Sequence, residues 1–378
     1  MPAKPDICIR GAGIVGRTLA LLLARERLRV ALVAPAADAP AAVPRTDVRA
    51  YALSPAAHQL LEGLRCWPGE AHATPVLAMQ VRGDAQGATH FSAADQGTPA
   101  LNWIVDVPAL EQRLADACQY QSGIDTVPAP VPAALTVVCE GRASQTRAAL
   151  GVEFDTVRYP HDAIATRLEC ERPHGQVARQ WFTPGGEILA FLPLGGPGGH
   201  EVAVVWSVCT PHLPALRALD DDAFAARLHA ESGAALGALR VSAPRASWPL
   251  LLAQATRWVG PMPGRTGESF ALAGDAAHAM HPLAGQGLNV GLGDAAELAR
   301  VLAARDYWRS PGDLRLLRRY ARARQGDWQR MRLATDGLQQ LFGRREAAAV
   351  LLRNWGMRAF DASGPLKTRI ARLAMGTA

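Results

Sequence analysis

Apolar and polar positions fall into blocks that spell a strand–helix–strand start. Asp6 to Arg10 is a short apolar run ending on a charge, Leu19 to Ala24 continues as an apolar helix, and Arg29 to Val33 forms a second apolar strand. Ser54-Pro55 opens another helix, because the serine hydroxyl caps free N–H groups and a proline at the first helical position gives up no hydrogen bond. Pro108 to Tyr120 reads as a helix and Leu135 to Cys139 as a buried strand. From about Gly151 to Leu252 strand-like runs dominate: Val177 to Phe182, Ile188 to Leu194 and Val202 to Val208. The last two are separated by Gly195-Gly196-Pro197-Gly198-Gly199. One helix, about Asp221 to Leu236, interrupts these strands, and a further strand, Phe270 to Ala273, precedes a predominantly helical remainder. No repeat or low-complexity linker separates the blocks, so the domains are expected to interleave.

Gly11-Ala12-Gly13-Ile14-Val15-Gly16 occupies the first strand-to-helix turn. Each glycine has a distinct task in a dinucleotide site. Gly11 permits the tight turn, Gly13 lets a pyrophosphate approach the backbone, and Gly16 lets the helix pack on the strand. The helix start supplies free N–H groups and a positive dipole end to the phosphates.

The chain has 378 residues, 49% hydrophobic and 20% charged, which describes a globular protein large enough for about two domains. No apolar run approaches the roughly 18 residues of a membrane span, and the first residues lack the pattern of a secretory leader, so a cytoplasmic location is expected. Six cysteines (Cys8, Cys66, Cys118, Cys139, Cys170, Cys209) are scattered, with no C-x-x-C pair, and read as buried reduced thiols. The net charge of +6 is unevenly spread: residues 313–378 hold 14 basic and 5 acidic groups, the remainder 26 and 29.

Residues 270 to 294 carry the most specific signal. An apolar strand delivers Gly274-Asp275 to its end, where the acid can accept hydrogen bonds from polyol hydroxyls. His281-Pro282 stiffens the next turn, and Gly285, Gly287 and Gly291 open a helix near Gln286 whose free N–H groups could hold an anionic ring edge. The run from His281 through Pro282, Leu283, Ala284, Gly285, Gln286, Gly287, Leu288, Asn289 and Val290 to Gly291, closing with Asp294, resembles the signature of the ubiquinone-biosynthesis hydroxylases. These are FAD-dependent aromatic-ring monooxygenases related to p-hydroxybenzoate hydroxylase. The similarity extends to Asp47-Val48-Arg49-Ala50-Tyr51-Ala52-Leu53-Ser54, to Phe191-Leu192-Pro193-Leu194, and to Thr335-Asp336 and Leu341-Phe342.

The resemblance implies an α/β fold, with a doubly wound, Rossmann-like FAD domain (residues 1–64, 102–150 and 255–305) interleaved with a mixed β-sheet substrate domain (65–101 and 151–254). A helical region (306–378) closes the chain. It further implies FAD as cofactor, NAD(P)H as hydride donor, and transfer of one atom of O2 to a polyprenyl-phenol-like ring. Arg49 would contact the flavin, backbone N–H groups around Gly287, Leu288 and Asn289 would face its pyrimidine edge, and Pro282 would line the space toward the substrate.

Five features depart from the family pattern. Ala34 stands where an acid usually holds the adenosine ribose, with Asp38 nearby. Arg10 replaces an apolar residue and reads as a solvated strand-end charge or an attractor of pyrophosphate. Pro108 stands where relatives often have arginine, and Glu140 replaces the aspartate of an Asp-Gly turn (Cys139 to Ser144, then Arg147). Only 25 residues separate Leu114 from Glu140, too few for a further β-meander. Three readings follow: a quinone-ring hydroxylase, a hydroxylase of a soluble aromatic compound, or a flavin-poor scaffold subunit. No Ser/His/Asp or paired-carboxylate constellation identifies a catalytic side chain. His278 and His281 lack further ligands at metal spacing, so no metal is expected there. Arg315, Arg318, Arg319, Arg322, Arg324, Arg330 and Arg332 crowd one helical stretch, either as a solvated face or as a contact for anionic lipid or a biosynthetic complex. No nucleic-acid-binding module accompanies that charge. Leu351, Leu352, Trp355, Met357 and Phe360 add an apolar stripe read as core.

Overall fold

The computed structural model describes residues 4–34, 48–83, 87–183, 186–279 and 287–343, with side chains described to residue 329. The first part of the chain forms β1 (Ile7–Arg10), α1 (Ile14–Arg25), β2 (Val30–Val33), β3 (Ala50–Leu53), α2 (Pro55–Gly63), β4 (Ala73–Val76), β5 (Ala78–Arg82), β6 (Ala88–Ser92), α3 (Ala93–Gln96), β7 (Asn102–Asp106), α4 (Val107–Tyr120), β8 (Ile124–Val127) and β9 (Leu135–Val138). The middle forms α5 (Gln145–Ala149), β10 (Phe154–Cys170), β11 (Val177–Phe182), β12 (Ile188–Leu194), β13 (Glu201–Cys209), α6 (Leu213–Ala218), α7 (Asp221–Glu231), β14 (Leu239–Val241) and β15 (Ala246–Ala255). Then come β16 (Val259–Pro261), β17 (Ser269–Leu272), β18 (His278–Ala279), α8 (Gly287–Ala303) and α9 (Leu314–Gly343).

Six strands in the order β16-β17-β9-β1-β2-β8 make the first sheet, parallel except for the edge hairpin β16–β17. Its central strands read as unbroken apolar runs because both faces are covered. On one face Ile7 and Ile9 pack with Leu19 and Leu23 of α1, Leu110 and Leu114 of α4, Leu298 and Leu302 of α8, and Tyr320 of α9. Another cluster gathers Val138, Trp258, Phe270, Leu272 and Trp328. The second sheet is mixed, in the order β18-β15-β10-β13-β12-β11-β5-β6 with β14 beside β10, and only its β11–β5 pair is parallel. Phe191, Val204 and Trp206 of this sheet bury against Phe224 and Leu228 of α7. A small antiparallel sheet, β3-β7-β4, joins the pieces.

The sequence reading places β11 and β12 as the structure has them, and Ser54 Oγ does accept from the Ala57 N–H at the start of α2 (3.2 Å). It overextends α7, which stops at Glu231 because Gly233 adopts a left-handed φ of +61°. Gly233 N–H then bonds Ala230 O and Ala234 N–H bonds His229 O, closing the helix end. The 17-residue β10 went unread, since its polar residues obscure a period of two, and a bulge between Arg158 and Asp162 shifts its register against β15. The expected residues 344–378 of the basic tail, with the apolar stripe from Leu351 to Phe360, lie outside the described residues.

Candidate active site

Three parallel strands, β1, β9 and β17, end side by side, and each runs into a glycine turn. Ligands in open α/β sheets bind in the crevice outside such strand ends. Gly11, at φ +110°, lies so close to the next turn that a Cβ there would sit 2.5 Å from Cys139 O. A Cβ on Gly16 would overlap Gly11 O, which fixes how tightly α1 approaches β1. Gly291 plays the same part for α8, with Val15 Cγ2 only 2.8 Å from where its Cβ would be. Gly274, at φ +62°, also packs against Val15. Gly13 differs: nothing lies within 4 Å of its Cβ position, and as N-cap of α1 it offers no side-chain cap to the free N–H groups behind it. Space is therefore open beside this uncapped helix start, the arrangement a pyrophosphate fits. On this donor set the residues present suit the dinucleotide end of FAD.

Two departures from the family pattern turn out to be one another's partners. Arg10 Nε donates to Glu140 Oε1 at 3.1 Å, so Arg10 is not the solvated strand-end charge its sequence context implies. The extra methylene of Glu140 also reaches Thr146, whose Oγ1 lies 2.5 Å from Oε1 and whose N–H lies 3.2 Å from Oε2, while Ser144 Oγ donates to Oε2 at 2.8 Å. These bonds hold the Glu140 carboxyl below its ordinary range despite the opposing cost of partial burial. Arg147, nearly buried, ties this turn to the next one. Its Nη1 donates to Ala276 O at 3.1 Å, its Nη2 to Arg142 O at 2.9 Å, and its guanidinium sits 3.7 Å above the Phe154 ring. Next to Arg10 and Thr146 lies a crevice of about 250 Å³, which Pro130, Leu150, Met262 and Arg265 also line.

Asp275 follows Gly274 in a short 3-10 turn (Gly274–Ala276) and reaches solvent, yet protein crowds it enough that desolvation raises its carboxyl above the usual value. His278, Arg142 and Arg49 act on it in the opposite sense, so the structure brings Arg49 and Asp275 into electrostatic range although 226 positions separate them. Asn289 has a different part from the one the resemblance implies for its backbone. Its side chain clamps α8 to the β3–α2 junction: Nδ2 donates to Ala52 O at 2.7 Å, and Oδ1 accepts from Ser54 N–H at 2.9 Å.

Asp294, in the sequence only the closing residue of the signature, organises the turn in the structure. It is fully buried, and its Oδ2 accepts from Gly274 N–H (2.8 Å) and lies 2.6 Å from His278 Nε2. Its Oδ1 accepts from Arg324 Nε at 2.7 Å. Burial alone would raise this carboxyl, but His278 and Arg324 hold it below its ordinary range. His278 is itself sandwiched between Trp258 and Trp328, with ring centroids 4.9 and 4.8 Å away. Arg324 is thus no part of a solvated basic face; it turns inward and fastens α9 to α8. The available sequence signal was an acid set among the apolar residues of an otherwise buried helix face.

The remaining expectations are unevenly placed. Pro282, Gly285 and Gln286 lie outside the described residues, as do Asp38 and His281. Gly287 and Leu288 begin α8, whose Gly287 has open space around its Cβ position. Ala34 continues from β2, its N–H bonded to Val127 O at 3.1 Å. Pro108 lies in the first turn of α4, where its missing N–H costs nothing.

The FAD binding domain family matches residues 92–332. Ubiquinone hydroxylase UbiL of Rhodospirillum rubrum is 33% identical over 398 residues, covering 98% of this chain and 90% of that protein. The 3-demethoxyubiquinol 3-hydroxylase of Escherichia coli is 29% identical, with 98% of each chain covered. In fold, the chain superposes on pqsL, a probable FAD-dependent monooxygenase of Pseudomonas aeruginosa, with a TM-score of 0.76, 20% identity, and coverage of 94% of this chain and 99% of that one. Domain match, near-full-length relatives and glycine cradle agree: the chain belongs to the FAD-dependent hydroxylases of ubiquinone biosynthesis.

Proposed function

We propose that this chain hydroxylates the aromatic ring of a quinone precursor, with FAD as resident cofactor, NAD(P)H as electron donor and O2 as the oxygen source. The observation that carries this reading is the intact cradle at three strand ends, with open space above Gly13, in a chain that aligns over 98% of its length with a ubiquinone hydroxylase. FAD, when bound, supplies the reductive activation of oxygen. The chain's share is binding and positioning. The N–H groups at the start of α1 take the pyrophosphate, and Asp275 accepts from polyol hydroxyls. Arg49 supplies positive charge beside the flavin. Backbone N–H groups around Gly287, Leu288 and Asn289 would face the ring's pyrimidine edge, Gly285 and Gln286 belong to the same cofactor loop, and Pro282 would line the space between ring and substrate. Asp294 and the Asn289 side chain hold the flanks of that loop in register. The Arg10–Glu140 pair supports a working site over a flavin-poor scaffold, because it restores by charge pairing an anchor that each change alone would lose.

The same reading extends to a polyprenylated substrate taken from a membrane surface. Arg315, Arg318, Arg319 and Arg322 stand at helical spacing on the exposed face of α9, and Tyr307 and Trp308 project into solvent just before it. No described helix is long and apolar enough to cross a membrane. The six free thiols suit a reducing compartment, so the cytoplasmic face of the membrane is the proposed location.

Flavin absorbance of the purified protein is the first test; a colourless protein that stays colourless after soaking with FAD rejects the enzyme reading. A phenol that stimulates NAD(P)H oxidation and gains one oxygen supports it. Rescue of a quinone-deficient strain separates a quinone precursor from a soluble aromatic substrate.

A further inference from the structure

Away from the flavin crevice, one end of the mixed sheet gathers a carboxylate, a thiol and two imidazoles from separate segments. Glu187 immediately precedes β12, Cys209 ends β13, and His212 closes the 3-10 turn Thr210–His212. The buried Glu187 carboxylate places Oε1 2.6 Å from His212 Nδ1 and accepts from the Cys209 backbone N–H at 3.1 Å. One ligand atom each from Glu187, Cys209 and His212 lies within 4.8 Å of the other two. His161, opposite Cys209 in the β10–β13 register, sets its Nε2 3.7 Å from Cys209 Sγ.

That spacing is informative. A sulfur and a nitrogen bound to one tetrahedral zinc, at about 2.3 and 2.0–2.1 Å, stand about 3.6 Å apart. Thiolate, imidazole and carboxylate together form a set that prefers a zinc-class cation to magnesium or calcium. An ordinary ion pair needs only Glu187 and His212; here a thiol lies within ligand reach of both. The His212 side chain is 61% exposed, which leaves an entry path for an ion.

We propose that Glu187, Cys209 and His212 bind a zinc-class divalent cation, with solvent completing the coordination. Binding releases the Cys209 thiol proton to solvent and replaces the Glu187–His212 hydrogen bond with two metal–ligand bonds. The cation would pin the start of β12 to the end of β13.

The test uses the purified full-length protein, stripped with a chelator and dialysed. Zinc titrated against a chromophoric competitor is expected to bind at one equivalent, and cobalt(II) to give tetrahedral d–d bands plus a sulfur-to-cobalt charge-transfer band. Cys209→Ser should abolish the charge-transfer band and weaken zinc at least about 100-fold, since changes behind a ligand alone cost roughly 10–100-fold. His212→Ala, at an exposed position, should weaken zinc at least about tenfold while far-ultraviolet circular dichroism stays unchanged. Absence of an equivalent of bound metal, or affinity undiminished in both variants, overturns the proposal.

Discussion

Asp294→Asn perturbs the flavin loop's support without changing side-chain shape. The carboxylate is fully buried and accepts three hydrogen bonds, from Gly274, His278 and Arg324. An amide offers one acceptor oxygen and turns an NH2 group toward a donor, so at least one of these bonds becomes a donor–donor contact. Arg324, 11% exposed, loses its inward counter-charge and keeps Asp327 at 2.6 Å on the solvent side and the Val290 carbonyl at 3.1 Å. Removing one member of a buried pair costs about 3–5 kcal/mol; the surviving Asp327 contact argues for the lower end, about 3 kcal/mol. Against a typical stability of about 5–15 kcal/mol the variant still folds, but marginally. The ends of the flavin loop slacken together, so FAD affinity should also drop, by about tenfold for each 1.4 kcal/mol of lost ordering.

Urea unfolding with and without FAD measures both quantities. The folded-state carboxyl lies below its ordinary value, so its stabilisation is fully present above the unfolded pKa of about 3.9 and is lost as pH falls through the folded one. The carboxylate's own share of the gap between parent and variant should therefore be lost only as pH falls below about 3.9. A variant within about 1 kcal/mol of the parent, with unchanged FAD affinity, would refute the reasoning.

Two glycines predict opposite failures. Gly13→Ala meets no protein atom within 4 Å and should still fold, losing about 0.5–1 kcal/mol because alanine is a poorer N-cap than glycine, yet bind FAD weakly, because the methyl enters the phosphate space. Gly16→Ala collides with Gly11 O and should abolish the soluble fold, as solubility and circular dichroism would show. Glu140→Asp, one methylene shorter, should destabilise by about 1 kcal/mol by withdrawing from Thr146 and Arg10. A double-mutant cycle with Arg10→Val should give a coupling of about 0.5–1 kcal/mol, modest because both groups are partly exposed; strict additivity would count against pairing. Burial pushes Cys118 to about 11 and Cys170 to about 12, and also raises Cys8, Cys66 and Cys139. These five thiols should resist a disulfide reagent at pH 8 until the protein is unfolded, and rapid reaction of several of them in the native state would contradict the burial.

What the sequence determined by itself is local. The turn at Gly11, the cap at Ser54 and the runs 177–182 and 188–194 are legible because a left-handed φ, a capping hydroxyl and a period of two are written in adjacent residues. The family signature at 281–291 is legible for the same reason, although the structure describes only its last residues. Everything that depends on which distant atoms meet was decided by the tertiary structure. Arg10 finds Glu140 across 130 positions because β1 and β9 are parallel neighbours in register. Arg324 leaves a stripe of solvated arginines for Asp294 because α9 packs along α8, and an unpaired buried carboxylate would be costly. Glu187, Cys209 and His212 meet because β12 and β13 pair antiparallel and place the start of one strand beside the end of the other. Propensity acts over a few residues, whereas register and packing act across the chain, and only the latter bring charges and ligands to contact distance.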